Sequence, residues 1–142
     1  MSEERLTVED YPLAEKRPEI VRGKRGKGLD EITLEALLEG RIALEDLRIT
    51  AAALRQQAEI ARADGRDTLA ANFERAAELV DVPQDTIMRV YELLRPGRAK
   101  SPEELHAAAR ELREQYGAGR MAAFVEEAAA VYERRGLFKK RF

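Results

Sequence analysis

The sequence has no cysteine, no tryptophan and a single histidine, and its only serines are Ser2 and Ser101. Without cysteine there is no disulfide, no thiolate metal site and no cysteine nucleophile. No apolar run approaches the roughly 20 residues that span a bilayer. Met1-Ser2-Glu3-Glu4-Arg5 is acidic and no apolar stretch follows it, so the start does not read as a secretory signal. An excess of one charge is missing as well. Lysine and arginine total 25, aspartate and glutamate 27, and the formal net charge is −2. Proteins that bind nucleic acid usually carry a basic excess, so this balance gives that class no support. The composition is compatible with a cytoplasmic protein.

What is present is alanine and mixed charge. The hydrophobic share is 44 %, but much of it lies in runs such as Ala51-Ala52-Ala53, Ala107-Ala108-Ala109 and Ala128-Ala129-Ala130. Alanine favours helix yet removes little surface from water. A chain of 142 residues fits one domain with a modest core. The expected fold is all-α: a small helical domain of about five main helices with an extended N-terminal arm. Such a thin core suggests stability gained by docking onto another protein. A self-sufficient helical bundle is the simpler alternative.

Three regions follow from punctuation. Residues 1–28 read as the arm, because Pro12 and Pro18 interrupt helix and Gly23, Gly26 and Gly28 alternate with Lys24, Arg25 and Lys27 in a basic loop. No strand precedes these glycines and no Gly-Lys-Ser/Thr follows, so a surface loop fits better than a phosphate loop. Residues 29–136 read as the helical domain. Thr33 caps a short helix stopped by Gly40, Ile42 to Leu47 is a linking turn, and Thr50 caps a helix ending near Asp64 with the face Leu54, Ala58 and Ala61. The next helix, 66–80, has Leu69, Phe73, Ala76, Ala77 and Val80 at helical spacing. Pro83 opens a helix to Leu94 with Ile87, Val90 and Tyr91 as its face, and Pro96-Gly97 breaks the chain. Ser101 and Glu104 read as a capping box over a helix carrying Leu105, Ala109, Leu112 and Tyr116. The last helix, 120–135, presents Met121, Phe124, Val125, Ala128, Val131 and Tyr132, and Gly136 closes it. Residues 137–142 form a basic tail, mobile at its end.

No catalytic set can be assembled. His106 lies mid-helix with Ala109 and Arg110 three and four residues on, where a helical metal pair needs a second ligand. Glu74 with Glu78, Glu126 with Glu127, and Asp64 with Asp67 read as exposed helix faces rather than tuned acid–base pairs. No catalytic, cofactor-binding or metal-ligating residue is therefore assigned. One segment does suggest a rival function. Residues 76–90 are patterned like a helix-turn-helix, which would aim Gln84, Thr86 and Arg89 at base edges. Asp81 sits where such turns often have glycine, and Asp85 would face phosphates without a basic excess to offset it. A helical scaffold or adaptor is the remaining alternative.

An ordered set of segments resembles one family along nearly the whole chain, from about Val8 to Arg135. It begins with Asp10-Tyr11-Pro12-Leu13-Ala14, Leu29-Asp30-Glu31-Ile32-Thr33-Leu34-Glu35 and Arg48-Ile49-Thr50. It continues through Gln57-Ala58, Ile60-Ala61, Gly65-Arg66-Asp67 and Asn72-Phe73-Glu74-Arg75-Ala76-Ala77-Glu78-Leu79. Val82-Pro83, Leu93-Leu94-Arg95-Pro96 and Ala122-Ala123-Phe124-Val125 complete it. The set resembles the small, or gamma, subunit of adenosylcobalamin-dependent diol and glycerol dehydratases. That resemblance implies a non-catalytic lyase subunit assembled with a large barrel subunit and a medium subunit, usually as a doubled heterotrimer. It implies that adenosylcobalamin and the substrate sit on the other chains, where the cofactor starts the radical conversion of propane-1,2-diol or glycerol to an aldehyde and water. It implies a cytoplasmic setting, within a bacterial microcompartment for some members, and neither nucleic acid nor membrane as partner. Some members carry a long N-terminal extension linked to that packaging, whereas this chain starts almost at the shared region. Residues 96–101 look slightly longer and more glycine-rich than usual. The arm element suggests a partner contact through Tyr11, Pro12, Leu13, Ile20 and Val21, with Tyr11 as anchor.

Overall fold

Helix starts and stops are set locally, and the computed structural model places them close to where the residues predict. It describes residues 4–139. The described residues form helices and turns with no strand, apart from an isolated antiparallel bridge between Arg22 and Gly28. The helices are α1 (Leu13–Lys16), α2 (Leu34–Leu38), α3 (Leu44–Leu47), α4 (Ala51–Ala63), α5 (Asp67–Leu79), α6 (Gln84–Leu94), α7 (Pro102–Tyr116) and α8 (Gly119–Arg134). The last five are the main ones, as expected for an all-α protein. The chain divides into two compact units, Met1–Val80 and Asp81–Phe142. The division falls inside the segment patterned like a helix-turn-helix.

In the first unit, Thr33 and Thr50 each accept a hydrogen bond from the backbone N–H three residues on, at 3.1 and 3.0 Å. These satisfy orphan donors of the first turn. At the other end of α2, Gly40 has φ +76°. That left-handed turn lets the Arg41 N–H reach the Ala36 carbonyl and the Gly40 N–H reach that of Leu37, a closure that strongly favours glycine. Gly65 closes α4 in the same way. Helices α4 and α5 pack through Ala58, Ala61 and Ala70, with Phe73 against them. Small side chains let the two backbones approach closely.

The arm is not simply extended. Residues 8–10 and 18–20 each make a 3-10 turn on either side of α1. Leu6 and Leu13 are buried with Ile60 of α4, and Ile20 and Val21 pack against that cluster. The Leu6 N–H donates to Glu59 at 3.1 Å. The Tyr11-Pro12 peptide is cis. The basic loop is also held. Its backbone closes through Gly23 N–H to Lys27 C=O at 2.9 Å. Arg25 then reaches a buried carboxylate, that of Asp46.

In the second unit, α7 and α8 pair around Leu105, Leu112 and Val125, the largest fully buried side chains. The seam of α8 differs from the expected face. Ala118, Ala122, Val125 and Ala129 are buried, while Phe124 is 40 % exposed. Spacings of three and four residues put these small residues on one stripe. The buried stripe of α7 includes Ala108 and Ala109 beside Leu105 and Leu112, so small side chains share the buried stripes with these leucines while Phe124 stays outside. The expected capping box at α7 is also rearranged. Ser101 makes no side-chain cap, and the Glu104 carboxylate accepts from the Lys100 N–H instead. Tyr132 donates its hydroxyl proton to the Leu94 carbonyl and stacks obliquely on Phe138, 6.3 Å between centroids. The first part of the tail is thus packed, and Lys140, Arg141 and Phe142 lie outside the described residues.

Candidate subunit interface

In each of the carboxylate pairs that sequence spacing singled out, one member is engaged by an arginine. Glu74 pairs with Arg62 at 2.7 Å, Asp64 with Arg66 at 2.8 Å and Glu126 with Arg113 at 2.5 Å. The Arg113 guanidinium holds the Glu126 carboxyl below its ordinary value. His106 is exposed on α7. Among the described residues, no group of three or more His, Cys, Asp or Glu side chains could hold a metal ion. Of the candidate base-reading residues, Thr86 is buried with its hydroxyl 3.5 Å from that of Tyr116. Arg89 forks onto Glu111 at 2.7 and 2.8 Å.

Among the described residues, the one deeply placed charge is structural. Asp46 is buried and accepts from both Arg25 Nε, at 2.9 Å, and Arg25 Nη2. It also accepts from the Ala43 N–H at 2.8 Å. The Arg25 hydrogen bonds, and after them the Ala43 amide, hold its carboxyl down to about 2. Gly23 lies so close that a Cβ there would sit 2.9 Å from the Asp46 carbonyl oxygen. Only glycine lets the loop approach α3 this way. Neither Gly23 nor Asp46 stands out in the sequence, because their partner segments are some twenty positions apart and the loop reads as plain basic surface.

What the surface offers is apolar contact. The five arm residues divide by position. Leu13 is buried, Pro12, Ile20 and Val21 are partly buried, and Tyr11 is 59 % exposed. Tyr11 and Val8 flank a groove of about 520 Å³ that also takes in Ile60, Leu69 and Phe73. A second apolar region, not anticipated from sequence, runs through residues 29–49. Leu34, Leu37 and Leu38 of α2, Leu44 and Leu47 of α3, and Ile49 are each more than half exposed. The buried side of these short helices is supplied by Ala36 and Asp46. The signal was present as leucines at spacings of three and four, which marks a helix face but not what covers it.

A model of the dehydratase small-subunit family matches residues 6–139. The chain belongs to that family. It is therefore a subunit of a dehydratase, a lyase, and a small subunit implies companion subunits in the complex. The chain is 52 % identical over 132 residues to the propanediol dehydratase small subunit of Citrobacter freundii, covering 93 % of this chain and 76 % of the relative. It is 51 % identical over the same length to that of Salmonella typhimurium, with the same coverage. For a dehydratase small subunit, exposed leucines and a tyrosine-lined groove have a ready use, since an apolar surface withdrawn from water by a partner favours assembly. Among the described residues of this family member, no helix is long and apolar enough to cross a membrane.

Proposed function

We propose that this chain is the small subunit of a coenzyme B12-dependent diol dehydratase that converts propane-1,2-diol to an aldehyde and water. The observation that carries this is the match to propanediol dehydratase small subunits over 93 % of the chain. Its companions are a large and a medium subunit, in a doubled heterotrimer, and the enzyme works in the cytoplasm or inside a protein-shelled microcompartment. Adenosylcobalamin supplies the radical chemistry and resides on those companions. No catalytic step is assigned to this chain, whose task is assembly.

Within that role, the arm element Tyr11, Pro12, Leu13, Ile20 and Val21 presents Tyr11 to a partner. Tyr11 supplies exposed surface beside a groove, while Leu13, Ile20 and Val21 pin the element to α4. A tyrosine brings large contact area with one hydrogen-bonding tip.

Co-expression with large and medium dehydratase subunits tests the reading. The expected result is a stoichiometric complex that forms aldehyde from propane-1,2-diol only when adenosylcobalamin is added. A chain that does not co-purify, or an enzyme equally active without it, overturns the proposal.

A further inference from the structure

Helix α3 rests on an unusual foundation. It is four residues long, Leu44 is 68 % and Leu47 61 % exposed, and its one buried residue is Asp46. Isolated helices under about 12 residues are marginal in water, so backbone hydrogen bonds alone do not sustain one this short. Ile42 is buried just before α3 and anchors the approach to it. The helix itself buries no apolar side chain. What holds it is the Asp46 carboxylate, whose charged partner comes from the basic loop.

Arg25 ties three segments together there. Its Nε and Nη2 fork onto Asp46, and Nη2 also donates to the Arg41 carbonyl, between α2 and α3, at 3.3 Å. Asp46 in turn accepts from the Ala43 N–H at 2.8 Å, which closes the first turn of α3. The loop has little else to hold it. The Gly23 N–H reaches the Lys27 carbonyl and the Gly26 N–H that of Gly23, both at 2.9 Å. Glycine otherwise leaves a backbone free to adopt many conformations. The two halves of the pair differ in access. The Arg25 side chain is 44 % exposed and that of Asp46 is fully covered. Water therefore reaches the arginine first. Once the arginine leaves, a buried carboxylate without its cation is strongly unfavourable until its segment opens to water.

We infer that Arg25 and Asp46 form an order switch. With the pair made, residues 22–28 and α3 are fixed together; with it broken, both open to solvent as one unit while α4 stays folded. Ordering and release of a short segment through one charged contact is a recurrent switching mode. The start of the arm keeps its own anchor, Leu6 and Leu13 on Ile60, which does not involve the pair.

Amide hydrogen exchange of the full chain tests this on the wild type, Arg25→Ala and Asp46→Asn. The reporters are the amides of residues 23, 26 and 46, bonded to the carbonyls of Lys27, Gly23 and Ala43. Amides of α4 report the global stability of the first unit. In both variants the three reporters should lose protection about tenfold or more beyond any loss in α4. If residues 23 and 26 lose protection while residue 46 keeps it, the two segments do not open as one unit and the inference falls. It also falls if α4 loses as much as the reporters, because the pair would then serve overall stability alone. Reporters that exchange alike in all three proteins overturn it as well.

Discussion

The two units solve the shortage of large side chains differently. In the second, Leu105, Leu112 and Val125 are fully buried with Ala108, Ala109, Ala122 and Ala129 of the long helices α7 and α8. In the first, α2 and α3 are short and bury Ala36 and Asp46, while Leu6, Leu13, Ile42 and Ile60 are its larger buried side chains beside alanines. Among the described residues, ten of the large hydrophobic side chains left exposed lie in the first unit and three in the second. The first unit therefore carries most of the surface that a partner could withdraw from water. It compensates within itself by pairing the buried Asp46 with the half-exposed Arg25 and by an arm folded onto α4. The difference suggests a division of labour within the small subunit: one unit stable by its own packing, the other shaped for contact.

Leucine truncation should separate these roles most sharply. Leu112→Ala should cost about 2–5 kcal/mol by leaving a cavity, read as a lower urea midpoint of far-UV dichroism. Leu38→Ala should change that midpoint by under about 0.5 kcal/mol, as an exposed site does. Equal losses at the two positions would break the comparison.

Arm truncations should follow with a smaller effect. Leu13→Ala should cost about 2 kcal/mol, near the low end for a buried leucine, because its cluster is small. Tyr11→Ala should leave the midpoint near that of the wild type yet weaken recovery with the companion subunits. If Leu13→Ala were silent in the isolated chain, the arm would not be anchored on α4.

Acid should then weaken the first unit through Asp46. Asp46 has its carboxyl lowered from 3.8 to about 2 on folding. The folded state thus binds fewer protons than the unfolded state, and the stabilisation is full above 3.8 and is lost as pH falls towards 2. Asp46→Asn should lower stability at neutral pH and flatten the pH dependence across that window. Urea titrations of both proteins at several pH values check this. A mutant as acid-sensitive as the wild type would point to other carboxylates.

The smallest effect should come from His106→Ala. The side chain is exposed on α7, so the assembled enzyme should keep its turnover within tenfold, equivalent to about 1.4 kcal/mol of barrier. A larger loss in a normally assembled complex would give the second unit a chemical role.

Local chemistry alone determined much of this protein. Thr33 and Thr50 cap helices because their hydroxyls answer orphan N–H groups, and glycine stops helices by reaching positive φ; both are legible at short range. The order of segments from the arm to α8 likewise sufficed for the family. Tertiary structure decided which apolar residues went inside. Leu34 and Leu105 read alike in a helical pattern, but Leu105 meets a second long helix, whereas the short α2 leaves Leu34 in water. In α8 the close seam took Ala122 and Ala129 and left Phe124 at its edge, which periodicity cannot foresee because it ignores the spacing between helices. Asp46 is the clearest case. Its burial depends on Arg25 arriving from a distant loop, and the Coulombic and hydrogen-bonding compensation for a buried charge exists only once the chain has brought them together.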